Sequence, residues 1–248
     1  MMARPRLTLL CLGCCLMVFV GLGCNTAPGR PKADSVPVDP DNVADFLLLF
    51  QQNCSGCHGA EGNHGPALAI GDPVYLAVAD DEILRKVITD GVAGTSMPPF
   101  AQSAGGMLTT KQIGVLVDGI RRRWGRPGTL AGVSPPPYSA AEPGDATRGA
   151  AVFATFCAGC HGREGKGTSR ASSIVDGTFL ALVTDQELRT LTIVGRPDLG
   201  APDWRDNVPG RPMSFQEISD VVAWLAAQRP KFAGRPSLHA ISLAGEKP

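Results

Sequence analysis

The sequence predicts an all-α protein built as two copies of one helical plan. Three observations carry this expectation. Apolar residues recur at helical spacing, a capping box opens the last helix of each copy, and no stretch alternates polar and apolar residues as a half-buried strand would.

In the first copy, Val43 to Gln52 carries Phe46, Leu49 and Phe50 on one helical face, with Asp41 or Asn42 as the expected N-cap. Asp80 to Thr89 forms a middle helix, and Thr109-x-x-Gln112 opens the last one. In the second copy Asp185 to Val194 is the middle helix and Ser214-x-x-Glu217 the cap. There Ile218, Val221, Val222 and Leu225 make the buried stripe.

The copies align residue by residue. Phe50-x-x-x-Cys54-x-x-Cys57-His58-Gly59 returns as Phe153-x-x-x-Cys157-x-x-Cys160-His161-Gly162 at an offset of 103. Leu84-Arg85 matches Leu188-Arg189 at 104, and Ile113 matches Ile218 at 105. The drift amounts to two single-residue insertions, which surface loops absorb. Two copies indicate a duplicated domain, whereas a solenoid needs more repeats to bury its faces. The expected division is a leader over 1–23, a Pro-rich tether over 24–40, and a first domain over 41–124. A linker over 125–143 centres on Pro135-Pro136-Pro137; a second domain over 144–229 and an irregular tail over 230–248 follow.

Composition narrows the function classes. Lys and Arg total 23 against 23 Asp and Glu, and Arg4 and Arg6 lie in the leader. With no basic excess to neutralise phosphates, nucleic-acid binding is excluded as the main task. Aromatics make up only 6% of residues, so something besides side chains is expected to fill the cores.

The leader reads as an export signal. Arg4 and Arg6 precede an apolar run from Leu7 to Val20, too short for a confident bilayer span but right for a signal-peptide core. Val20-Gly21-Leu22-Gly23-Cys24 resembles a bacterial lipoprotein cleavage site, with Gly21 where leucine is usual, so Cys24 is the expected lipidation site. Cys14 is a rival that leaves a very short apolar core. The expected location is the periplasmic side of a bacterial membrane.

If Cys24 becomes the first residue, the cysteines beyond it are two C-x-x-C pairs, Cys54 with Cys57 and Cys157 with Cys160, each followed by histidine. C-x-x-C-H is a haem-attachment signature: two thiols form thioethers with the two vinyl groups of one haem, and the adjacent histidine, His58 or His161, meets the iron. A zinc ribbon needs its pairs roughly 15–20 residues apart, not 103. A thioredoxin-like dithiol needs a βαβ setting, and these motifs follow helices.

Each block resembles a class I cytochrome c domain: a helix into C-x-x-C-H-G, a loop, a methionine-bearing turn and a final helix. The resemblance implies two covalently bound haem c groups and an electron carrier. It also implies that Met97, in Ser96-Met97-Pro98-Pro99-Phe100, is the distal ligand of the first haem, with Met107 a bystander. Pro66 resembles the family's loop proline whose carbonyl orients the proximal histidine, while His64 reads as a solvated loop residue. A haem core accounts for the aromatic shortage in domains of this size.

The second block departs from the pattern. An offset of 104 carries Met97 onto Ala201, and an offset of 103 carries Pro66 onto Ser169. Three arrangements stay open for the second haem: Met213 as ligand, a distal position open or filled by water, and, last, His239 from the tail. Met213 has a competing role as the apolar residue before the Ser214 cap, stapled against Ile218.

The leading functional reading is a membrane-tethered dihaem carrier. It passes single electrons from a quinol-oxidising complex to a terminal oxidase or another oxidoreductase, or serves as a haem subunit of one of them. The alternative is a dihaem oxidoreductase or peroxidase-like enzyme whose second haem is the open catalytic one. Against the enzyme, the second block has no acid–base histidine beyond His161. A gas-sensing or partner-anchoring module is a third class.

Overall fold

The computed structural model describes residues 38–231. The leader, Cys24, most of the tether, and His239 with its tail lie outside the described residues. Pro40–Asn42 form a single 3₁₀ turn, and the described residues from Val43 onward form one compact unit.

Within that unit the five-helix plan is written twice. The first copy runs α1 (Phe46–Asn53), α2 (Ser55–His58), α3 (Pro73–Val78), α4 (Asp81–Asp90) and α5 (Thr110–Trp124). The second runs α6 (Ala146–Phe156), α7 (Ala158–His161), α8 (Gly177–Leu182), α9 (Asp185–Val194) and α10 (Phe215–Ala227). No strand occurs among the described residues, only the isolated bridges Ala101–Leu108 and Arg196–Ala201.

Capping explains where the helices begin. Asp45, Asp72 and Asp80 accept from the first-turn amides of α1, α3 and α4, and Asp145, Asp176 and Thr184 do the same for α6, α8 and α9. Thr109 and Ser214 close full capping boxes with Gln112 and Glu217, as expected. Two expectations need correction. The cap of α1 is Asp45, not Asp41 or Asn42, because those two residues are used in the preceding 3₁₀ turn. The short helices α3 and α8 were not foreseen; six residues are too few to show a helical period.

Close helix crossings form each core. In the first copy α5 passes α1 at Gly119, where a Cβ would lie 2.0 Å from the Phe46 ring. Trp124 meets the Phe50 ring edge-on, centroids 4.9 Å apart. In the second copy the glycine sits on the other helix: a Cβ on Gly149 of α6 would lie 2.0 Å from the Asp220 carbonyl oxygen of α10. Phe153 stacks on Trp224 at 4.2 Å.

One arginine in each copy, within the last helix in the first and just past its end in the second, ties that helix back onto the third. Arg121 donates to the Leu76 and Ala79 carbonyls at the end of α3 and pairs with Asp81. Arg229 donates to the Leu180 and Val183 carbonyls at the end of α8 and pairs with Asp185. Each guanidinium satisfies carbonyls that a helix end leaves unpaired.

The two copies share one hydrophobic cluster, which runs from Leu49, Phe50 and Trp124 through to Phe153, Trp204 and Ile218. The Pro-rich segment between them is laid against α9. Arg189 donates to the Pro137 and Tyr138 carbonyls, and Gln186 Nε2 to that of Tyr138 at 2.8 Å.

Candidate haem sites

Each C-x-x-C-H occupies a one-turn helix that follows directly from a longer one. Cys54 ends α1, and its carbonyl accepts from the amides of Cys57 at 3.2 Å and His58 at 3.0 Å. Cys157 ends α6 and accepts from Cys160 and His161 at the same two distances. The repeat is therefore geometric as well as sequential.

The glycine after each histidine has a physical reason. Gly59 adopts φ +80 and Gly162 φ +77, a region that favours glycine. A Cβ on Gly59 would stand 1.8 Å from the Asn63 carbonyl oxygen. The chain turns back there to deliver a carbonyl to the histidine.

That carbonyl fixes the tautomer. His58 Nδ1 lies 2.8 Å from the Leu68 carbonyl oxygen, and His161 Nδ1 lies 2.8 Å from that of Ser172. A carbonyl only accepts, so Nδ1 carries the proton in both rings and Nε2 keeps its lone pair for a metal. Burial is the main cause that lowers the His58 pKa, and the Arg196 charge adds to it against the Leu68 hydrogen bond. His58 is thus held as the neutral base that iron requires.

The first cysteine of each pair is held as a thiol. Burial, with Cys57 beside it, pushes Cys54 up to about 12, and burial with Cys160 does the same for Cys157. A redox-active dithiol needs the opposite shift. The four motif cysteines form no disulfide, and among the described residues no three His, Cys, Asp or Glu side chains converge on a common metal position. Two thiols three residues apart beside an imidazole with an open Nε2 fit covalent haem.

The expectation for Pro66 is corrected. The carbonyl that orients His58 belongs to Leu68, two residues on, because the intervening loop is pinned by the Ala67 amide on the Cys57 carbonyl at 3.0 Å. His64 is exposed with φ +59, and its amide donates to Asp198 Oδ2 at 2.8 Å.

The turns that carry Met97 and Ala201 share their backbone frame. Met97 sits half-buried on a turn held by its amide on Thr95 Oγ1 at 3.1 Å and by the Val92 amide on its carbonyl at 3.0 Å. Met107 is 76% exposed. In the second copy Ala201 stands on the corresponding turn, while Met213 is buried further along, before the α10 cap.

Leu68 and Ser172 were missed because a backbone carbonyl leaves no trace in residue type. A spacing of 10 and 11 residues from the histidines is the only signal they carry.

Two family models match the chain. "Cytochrome C oxidase, cbb3-type, subunit III" matches residues 41–117, and "Cytochrome c" matches residues 146–228. Among similar proteins, the Cbb3-type cytochrome c oxidase subunit FixPc of Rhizobium leguminosarum bv. viciae is 29% identical over 56% of this chain and 46% of its own. Subunit CcoP of Azospirillum sp. (strain B510) is 30% identical over 61% of this chain and 51% of its own. Subunit CcoP of Rubrivivax gelatinosus is 31% identical over 57% and 41%. The chain thus spans about half the length of these relatives.

Proposed function

The chain belongs to the class I c-type cytochromes, with two cytochrome c domains in tandem and two covalently bound haem c groups, and from that premise we propose that it relays single electrons between respiratory-chain components on the periplasmic side of a bacterial membrane. The observation that carries this reading is the duplicated C-x-x-C-H, with each histidine Nδ1 bound to a backbone carbonyl. Each haem iron supplies a ferric–ferrous couple, so one electron moves at a time.

The protein's own residues do the rest. Cys54 and Cys57 hold the first haem by thioethers, and Cys157 and Cys160 hold the second. His58 and His161 present Nε2 to the irons, each ring kept in orientation by its carbonyl. Met97 would offer its thioether sulfur to the first haem iron, a donor that favours ferrous iron and raises the potential. No catalytic acid or base is assigned.

Cys24 carries the lipid that tethers the chain. No helix among the described residues is long and apolar enough to cross a membrane. Near-neutral charge provides little long-range steering, so confinement to the membrane surface takes its place in the search for partners. The redox partners are a quinol-oxidising complex and a terminal oxidase or other oxidoreductase. Similarity to subunits of cbb3-type oxidases supports the oxidase side.

Haem stoichiometry and turnover test the proposal together. The holoprotein should exceed its processed polypeptide by two haem masses that acid–acetone does not extract. Quinol-oxidising membranes should reduce it, and oxidase-containing membranes should reoxidise it. Fewer than two haems overturns the site assignments; two haems with neither reaction overturns the respiratory role.

A further inference from the structure

Resting on the two-haem reading above, we infer that the distal side of the second haem is a binding site for a small neutral diatomic ligand such as carbon monoxide. The internal repeat carries the inference, because the first copy shows where a distal ligand belongs.

The two turns approach the preceding helix end in the same way. A Cβ on Gly91, at the end of α4, would meet the Met97 carbonyl oxygen at 2.7 Å and the Pro98 carbonyl carbon at 2.5 Å. A Cβ on Gly195, at the end of α9, would meet the Ala201 carbonyl oxygen at 2.6 Å and the Pro202 carbonyl carbon at 2.5 Å. The same helix end receives the same turn, and Ala201 stands where Met97 stands. A methyl group cannot ligate iron.

Backbone pairing also fixes the register of Met213. In the first copy the Phe100 amide donates to the Ile88 carbonyl, and the Leu108 amide to the Phe100 carbonyl. In the second the Trp204 amide donates to the Ile193 carbonyl, and the Met213 amide to the Trp204 carbonyl. Met213 is therefore the counterpart of Leu108, each directly before its capping residue. Both are buried in the core, Met213 with 2% exposure. Leucine at this place packs and cannot ligate, and Met213 inherits that role.

No other donor stands on the turn. From Arg196 to Trp204 it holds no histidine, cysteine or methionine, and the charged side chains on it are already engaged: Arg196 with Asp198, and Asp203 with Arg205. His161 is also less buried than its counterpart His58. A ferrous haem with one protein ligand takes neutral diatomic molecules at the open position, whereas in the first copy the corresponding turn offers the Met97 sulfur for it.

The test uses the full holoprotein, with its haem counted independently and then titrated with carbon monoxide after reduction, followed by difference spectra. One carbon monoxide per two haems is expected. Ala201→Met should restore a sulfur ligand, reduce the stoichiometry to near zero, and add a second weak sulfur-to-iron band to the ferric spectrum. Met213→Leu should leave the stoichiometry at one. Binding of none or of two by wild-type protein overturns the inference, as does a rise from none to one on Met213→Leu. The wild-type titration decides the matter even if a variant fails to fold, and a haem count below two marks failure of the underlying reading instead.

Discussion

The Arg196 guanidinium donates to the Gly65 carbonyl at 3.0 Å, joining the second copy to the loop that lies between His58 and its Leu68 partner. Arg196 Nε and Nη2 also grip Asp198, and Asp198 accepts the His64 amide at 2.8 Å. These side chains are nearly buried, 15% and 6% exposed. The Arg196 hydrogen bond is the first cause holding the Asp198 carboxyl down at about 2, with the His64 amide assisting. The copies are thus joined at the loop that brings the Leu68 carbonyl to His58 and at the turn that leads to Ala201.

Arg196→Ala should therefore act on both copies. It leaves Asp198 buried without its partner, which costs about 3–5 kcal/mol in the unfolding free energy read from denaturant titration. It also removes a positive charge that already depresses His58, leaving net negative charge near the first haem. The first midpoint potential should fall by on the order of 1 kcal/mol, or about 40 mV for one electron. Loss of stability with both potentials unchanged would assign Arg196 a purely structural role.

Two glycines on one helix should respond in opposite directions. Gly119→Ala puts a methyl 2.0 Å from the Phe46 ring, so α1 and α5 must separate, at a cost of about 1–3 kcal/mol. A Cβ on Gly114, five residues earlier and on another face of the helix, meets nothing nearer than Arg85 Nη1 at 3.8 Å. Gly114→Ala should then raise stability by about 0.4–1 kcal/mol through helix propensity and a less disordered unfolded chain. Thermal melts of the two variants beside wild type check the sign of each.

Acid should loosen the second copy through Asp220. This carboxylate is buried in α10, accepts two bonds from Arg148 and one from the Asp145 amide, both at the start of α6, and a fourth from Gln216. The Arg148 hydrogen bond is the main cause that lowers its pKa to about 2 from an ordinary 3.8. The unfolded chain therefore takes up this proton at a higher pH than the folded one. The stabilisation is fully present above about pH 5 and is lost as pH falls toward 2, roughly 2 kcal/mol in all. Asp220→Asn should lower stability at neutral pH and flatten this acid limb in pH-dependent denaturant titrations.

Much of this architecture is legible in the sequence, and what is not has a physical reason. The capping boxes at Thr109 and Ser214 and both C-x-x-C-H turns are local, so residue type and spacing reveal them. The substitution of Ala201 for Met97 is visible because the chain contains its own template. Arg121 and Arg229 play one role but stand 108 residues apart, out of step with the repeat, so alignment does not pair them. The contacts of Arg196 with Gly65 and of Asp198 with His64 join residues more than 130 positions apart, and only the packed fold brings them together. The Leu68 and Ser172 carbonyls are invisible for a different reason, since any residue could supply them.

Met97 should behave as the distal ligand of the first haem and Met107 as a surface residue. Met97 sits on a turn pinned from three sides: the Thr95 hydroxyl, the Val92 amide, and the end of α4, where Gly91 leaves no room for a side chain. The two prolines that follow stiffen the backbone, so a thioether there is held in place before iron binds it. Met107 is mostly in solvent, and the turn frame does not include its side chain. Met97→Ala should remove the weak sulfur-to-iron band of the ferric spectrum and lower one midpoint potential. It should also raise carbon monoxide uptake from one to two per protein, because both copies would then lack a sulfur at the turn. Met107→Ala should change none of the three. If the Met107 variant loses the band and the Met97 variant keeps it, the ligand is reassigned to Met107.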